Sequence, residues 1–96
     1  MYVVLVNYTQ PLAVIEQHLA AHRAFLDQHY ANGNLLASGP RNPRTGGVLL
    51  AGNMEREALD AVLAEDPFAR AGVASYEVIE FEAVKCVPGS EKLFQC

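Results

Sequence analysis

The sequence predicts an α+β fold of the ferredoxin-like kind, β-α-β-β-α-β, with a four-stranded antiparallel sheet and two helices on one face. Three observations predict it. Segments rich in β-branched and aromatic residues alternate with segments whose apolar residues recur at helical spacing. Glycine, proline and asparagine mark nearly every change of pattern. With 96 residues the chain can bury one small core and no second one. The expectation is a single domain over 1–96, its core at 1–83 and a C-terminal tail at 84–96.

Met1 to Tyr8 reads as the first strand. Tyr2, Val4, Val6 and Tyr8 share one face, and Val3 and Leu5 the other. Pro11 suits a first helical turn, and a long helix is expected from about Pro11 to Ala31, stopped by Asn32-Gly33. Leu35 to Ser38 is a short strand broken by Gly39-Pro40. Arg41 to Gly46 is a loop, and Gly47 to Ala51 is the next strand. A second helix starts at Met54 or Glu55, carries Leu59, Val62 and Leu63 on one side, and ends near Glu65. Asp66-Pro67 opens a short helical turn that stops at Gly72. Ala74 to Phe81 is the last long strand. The tail from Val87 is expected to pack loosely, with a short pairing near Leu93-Phe94. Two helices cover only one sheet face, yet the first strand is apolar on both. A homodimer packed through the sheet face is therefore expected.

A hydrophobic fraction of 51% with 19% charged residues excludes intrinsic disorder. The net charge is −4, and the seven basic residues are dispersed, so no patch suits a phosphate backbone and no nucleic-acid partner is expected. The uncharged stretches carry polar or proline breaks, and no basic region precedes the first apolar run. These features exclude a membrane role and favour the cytoplasm. Cys86 and Cys96, ten residues apart, lack metal-ligand spacing and are expected as free thiols in a reducing compartment.

On a helical wheel of about 100° per residue, Ile15, Leu19, Phe25 and Leu26 define the apolar stripe of the first helix, with Glu16, Arg23 and Asp27 opposite. His18, His22 and His29 fall within the stripe, roughly 40° or less from one another. A buried histidine needs partners for its ring nitrogens, so each is either a hydrogen-bonded core residue or a functional one. His18 and His22 at i, i+4 can present nitrogens to a metal, but no cysteine or carboxylate motif at ligand spacing accompanies them, and no metal or cofactor is expected. Asp66 is at least the cap of its helical turn. It is also a carboxylate that can fix the tautomer of His22 and raise the basicity of its other nitrogen. In the loop from Ser38 to Gly47, Ser38 and Arg44 are candidate ligand contacts, Arg44 as a clamp for a carboxylate or simply as a solvated loop residue.

Taken together, His22 with Phe25-Leu26, Gly33 with Leu35-Leu36, Ser38-Gly39-Pro40, Asp66-Pro67-Phe68 with Gly72, and the strand Tyr76 to Phe81 resemble the YciI-like family, also called YCII-related domains. The resemblance implies a dimeric α+β barrel of ferredoxin-like topology and a catalytic pair at His22 and Asp66. Many relatives place an arginine shortly before that histidine. Here the region reads His18-Leu19-Ala20-Ala21, which leaves His18 or Arg44 to fill that role. The functional expectation is a small cofactor-free enzyme. Its His22-Asp66 pair performs lyase or isomerase-like acid-base chemistry on a small polar or aromatic molecule, with His18, Ser38 and Arg44 binding the substrate. The alternative is a non-catalytic module that binds a small ligand, or a partner, through the same pocket.

Overall fold

Strand β1 (Tyr2–Tyr8) is the centre of the structure, a computed structural model that describes residues 1–96. It pairs antiparallel with β3 (Gly46–Ala51) on one side and with β4 (Ala74–Glu80) on the other. Strand β2 (Leu35–Pro40) adds to the far edge of β3, giving the order β2-β3-β1-β4. The register sets Val4 between Leu49 and Val78. Tyr2, Val4 and Val6 thus share a buried face with Leu49, Ala51 and Leu35, and α3 (Arg56–Ala64) closes it with Leu59 and Leu63. Burying each of these valine and leucine side chains contributes about 1.5–3 kcal/mol. Pro40 is tolerated at the end of β2 because the strand is an edge and its missing N–H breaks no ladder.

The long helix expected between the first two strands is divided. Helix α1 (Leu12–Gln17) ends at His18, whose backbone (φ −106°, ψ 1°) is not helical, and α2 (Leu19–Ala31) starts after it. His18 N–H donates to Ile15 O, three residues back, in a tighter turn than an α-helix makes. The break separates the two wheels: α1 buries Ile15, whereas α2 buries Phe25 and His29. Helix α4 (Pro67–Arg70) is a single turn held by a second cluster of Ile15, Phe68 and Val73.

Two expectations about assembly are corrected. The sheet is open, because β2 and β4 lie at opposite edges with β3 and β1 between them, and a barrel closes only where the outer strands hydrogen-bond each other. The dimeric α+β barrel is therefore not formed, and the expected homodimer through the sheet face has no support in this single-chain structure. Its premise, a first strand needing a second layer, fails on position: β1 is flanked by neighbours on both sides. Val3 lies between Leu50 and Ile79, and Val3 and Leu5 are half-buried without a further layer. Scattered half-exposed apolar side chains are ordinary at protein surfaces.

The tail also departs from expectation. Leu93 and Phe94 lie in a short helix, α5 (Glu91–Phe94), and pair with no strand. Cys86 and Cys96 are joined in a disulfide, not free, with their Cα atoms 6.2 Å apart. The turn of α5 and the left-handed Gln95 after it (φ 57°) fold the chain end back toward Cys86, a reversal that spacing alone does not reveal. Asn53 Nδ2–H donates to Gln95 Oε1 at 2.8 Å and ties the tail to the turn after β3. No helix is long and apolar enough to cross a membrane.

At Gly46, opposite Asn7 in the β1–β3 ladder, a Cβ atom would run into the Val6 carbonyl oxygen. Gly46→Ala is expected to destabilise the protein by about 1–3 kcal/mol, lowering Tm by about 5 °C or more. Gly39→Ala, where a Cβ meets open space, is expected to stay within about 0.5 kcal/mol of the parent. Paired thermal melts check both.

Candidate functional site

Asp66 is fully buried, and three donors from three elements converge on it. Its Oδ1 accepts from Phe68 N–H at 3.0 Å, the cap of α4. The same oxygen accepts from His22 Nδ1 of α2 at 2.8 Å. Its Oδ2 accepts from the Tyr76 hydroxyl of β4 at 2.7 Å. The capping role and the histidine-facing role read from the sequence therefore coexist in one carboxylate. Burial, followed by the hydrogen bond to Asp66, pushes the Tyr76 phenol far above its ordinary range, so it remains a donor.

The His22 ring is held as firmly as its proton. It stacks on Phe68, with ring centroids 4.0 Å apart and planes 10° from parallel, and Phe25 lies 6.0 Å away. Phe68 is 1% exposed, so the face it offers His22 is fixed by the second apolar cluster. With Nδ1 engaged by Asp66, the tautomer that donates to the carboxylate leaves Nε2 with its lone pair free. That is the nitrogen available to take a proton.

His22 borders a cavity of about 340 Å³ at the end of the sheet where β1 finishes. Leu19, His22, Arg23 and Leu26 enter it from α2 at i, i+3, i+4 and i+7 spacing, one continuous helix face. Val6, Tyr8 and Leu49 form its floor, and Phe68 a wall. Ser38, Gly39 and Pro40 line it from β2, and Arg44 from the loop before β3. Tyr30 from α2 shares a hydrogen bond with the Ser38 hydroxyl. Arg44 Nη1–H donates to Glu16 Oε1 of α1 at 3.2 Å. Arg41, by contrast, is spent on the loop, donating to Asn7 Oδ1 at 2.7 Å and to Thr45 Oγ1 at 3.3 Å.

The structure thus brings His22, Asp66, Ser38 and Arg44 to one place and leaves the other two histidines elsewhere. His18 occupies the break between α1 and α2 and does not line the cavity. His29 is buried on the core side of α2, its edge toward Phe25. Its Nδ1 accepts from Asn34 Nδ2–H at 3.1 Å, and its Nε2 faces Glu65 Oε1 at 3.5 Å without a hydrogen bond. No three histidine, cysteine, aspartate or glutamate side chains gather into a group able to hold a metal.

Two residues of the site are not singled out by sequence reasoning. Tyr76 reads only as a β-former in the last strand. Arg23 reads as solvated, because the wheel places it beside Glu16 and Asp27, at the edge of the apolar stripe. The cavity instead takes the Leu19-His22-Arg23-Leu26 row of α2 as its wall, with Arg23 at the edge of that face.

Residues 1–82 match the family model of the YCII-related domain. No curated protein matches the chain. Among solved structures, the chain is similar to the 5-chloro-2-hydroxyhydroquinone dehydrochlorinase of Burkholderia phenoliruptrix in its complex with 2,5-dihydroxybenzoquinone. The TM-score is 0.70 at 22% identity, covering 84% of this chain and 93% of that one. At that identity the likeness establishes a shared fold.

Replacing Tyr76 with Phe removes one donor from a buried carboxylate and is expected to cost about 1–3 kcal/mol at neutral pH. The folded-state phenol titrates above the unfolded one. The stability it adds is complete below the ordinary tyrosine value near 10 and is lost as pH rises beyond it. The stability gap between the parent and Tyr76→Phe should therefore hold up to about pH 10 and narrow above it. Denaturant melts across that window measure the gap.

Proposed function

This chain belongs to the YCII-related domain family, and from that premise we propose that it is a cofactor-independent acid-base enzyme of lyase or isomerase type. Its substrate is a small, polar, ring-shaped molecule. The observation that carries the reading is the 2.8 Å bond between His22 Nδ1 and the buried, triply bonded Asp66. It supports His22 Nε2 as a general base with a fixed tautomer, at the wall of a cavity large enough for a single-ring ligand.

In this reading, Nε2 removes a proton from an acidic O–H or C–H of the bound molecule. Asp66 stabilises the imidazolium that forms, and Phe68 keeps the ring in plane. The electron pair left on the substrate moves into its conjugated system. It is then discharged either by protonation at another atom, with His22 returning the proton, or by departure of a leaving group, with the proton lost to solvent. The first course is an isomerisation and the second an elimination. Ser38 and Arg44 supply the polar wall, while Val6, Leu19, Leu26 and Leu49 supply the apolar one. The likeness to a dehydrochlorinase holding a dihydroxybenzoquinone lends support to a hydroxylated ring and to the elimination course.

The test is turnover of 5-chloro-2-hydroxyhydroquinone, followed by chloride release, together with deuterium uptake from D2O into hydroxylated aromatic probes. His22→Gln is expected to lower either rate by about 10²–10⁴-fold with the fold intact. Asp66→Asn is expected to lower it less while keeping the Phe68 cap. Equal rates for parent and His22→Gln would contradict the reading. Saturable binding of the probes without turnover would instead favour the binding-module alternative.

A further inference from the structure

The cavity is lined by two arginines and a histidine but by no aspartate or glutamate, in a chain whose net charge is −4. Asp66 is fully buried behind His22 and engaged by three donors, and Glu16 approaches only through its ion pair with Arg44. The bound molecule therefore meets positive charge at the rim and no acid on the wall, an arrangement that selects anions and disfavours cations.

The two guanidiniums are not equivalent. Arg44, 36% exposed, is already paired with Glu16, so a carboxylate of the protein neutralises it. Arg23 forms no ion pair, and no side chain or carbonyl accepts a hydrogen bond from it. It emerges from α2 one residue after His22, on the face shared with Leu19 and Leu26. Its donors are free to meet a planar anionic group, which a guanidinium matches in bidentate fashion.

We infer that Arg23 is the residue that reads the negative charge of the substrate, and that the site takes an anionic ring compound, a carboxylate or a phenolate. This rests on the acid-base reading for what happens to that compound, but not for how it is recognised. The two assignments are complementary. Arg23 holds an anion that the bulk of an acidic protein repels. It also lies beside His22, where proton removal adds further negative charge to the ligand.

The pair 4-hydroxybenzoate and 4-hydroxybenzamide has nearly the same shape and differs in charge. Titration of the purified chain at neutral pH, followed by NMR shifts or heat, should show the benzoate binding about tenfold or more tighter than the amide. Arg23→Gln should reduce that ratio to near one, Arg23→Lys should retain part of it, and Arg44→Gln should retain most of it. Arg23 is exposed, so circular dichroism is expected to be unchanged in its variants.

The inference is overturned if Arg23→Gln keeps the preference, if the parent shows none, or if the parent binds neither compound. A charge preference that depends on Arg23, alongside turnover indifferent to His22→Gln, would remove the acid-base reading and leave the anion site standing.

Discussion

A buried carboxylate is tolerated only when its oxygens are satisfied, and at Asp66 that requirement organises the whole site. One oxygen caps α4 and holds His22, and the other holds Tyr76. Helix α2 is far in the chain from helix α4 and strand β4, and the 44 residues separating His22 from Asp66 are spanned by this one group. Removing any donor leaves a buried acceptor short of a partner, a larger penalty than the net value of a typical hydrogen bond. The orientation of His22 is therefore coupled to the stability of the fold, and the base is set in place before any ligand arrives.

The same arrangement divides the work of α2 between its faces. Phe25 and His29 turn toward the core, whereas Leu19, Arg23 and Leu26 turn toward the cavity, with His22 at the boundary. Its Nδ1 belongs to the buried side and its other nitrogen to the cavity side. Helix α1, set apart by the break at His18, is anchored separately through Ile15 in the second apolar cluster. Phe68 closes the arrangement by serving the second core cluster with one face and His22 with the other.

What was legible in the sequence follows from how local each signal is. The strands, the Asp66-Pro67 turn and the second helix are set by alternation, capping chemistry and amphipathic spacing, all of which act over a few residues. His22 and Asp66 were legible because each is anomalous where it stands, a histidine in an apolar stripe and an aspartate held by a proline turn. Tyr76 was hidden because a tyrosine in a strand needs no explanation, and its hydroxyl partner lies in another element. His18 is hidden because neither a proline nor a glycine marks the break it occupies, and Arg23 because a charged residue at the edge of an apolar stripe reads as solvated. The apolar second face of β1 suggested a further layer, but the pattern of one strand does not reveal the lateral cover supplied by its neighbours. The disulfide eluded spacing arguments because it depends on a reversal at the chain end.

The central claim is that Asp66 fixes the tautomer of His22 and leaves Nε2 as the free base. The most direct test is the imidazole nitrogen spectrum of ¹⁵N-histidine-labelled protein, read from long-range ¹H–¹⁵N correlations with the ring neutral. The account predicts a His22 ring protonated at Nδ1 and bare at Nε2, with Asp66→Asn shifting the balance between the two tautomers. A parent ring carrying its proton on Nε2, with Nδ1 bare beside Asp66, would contradict it.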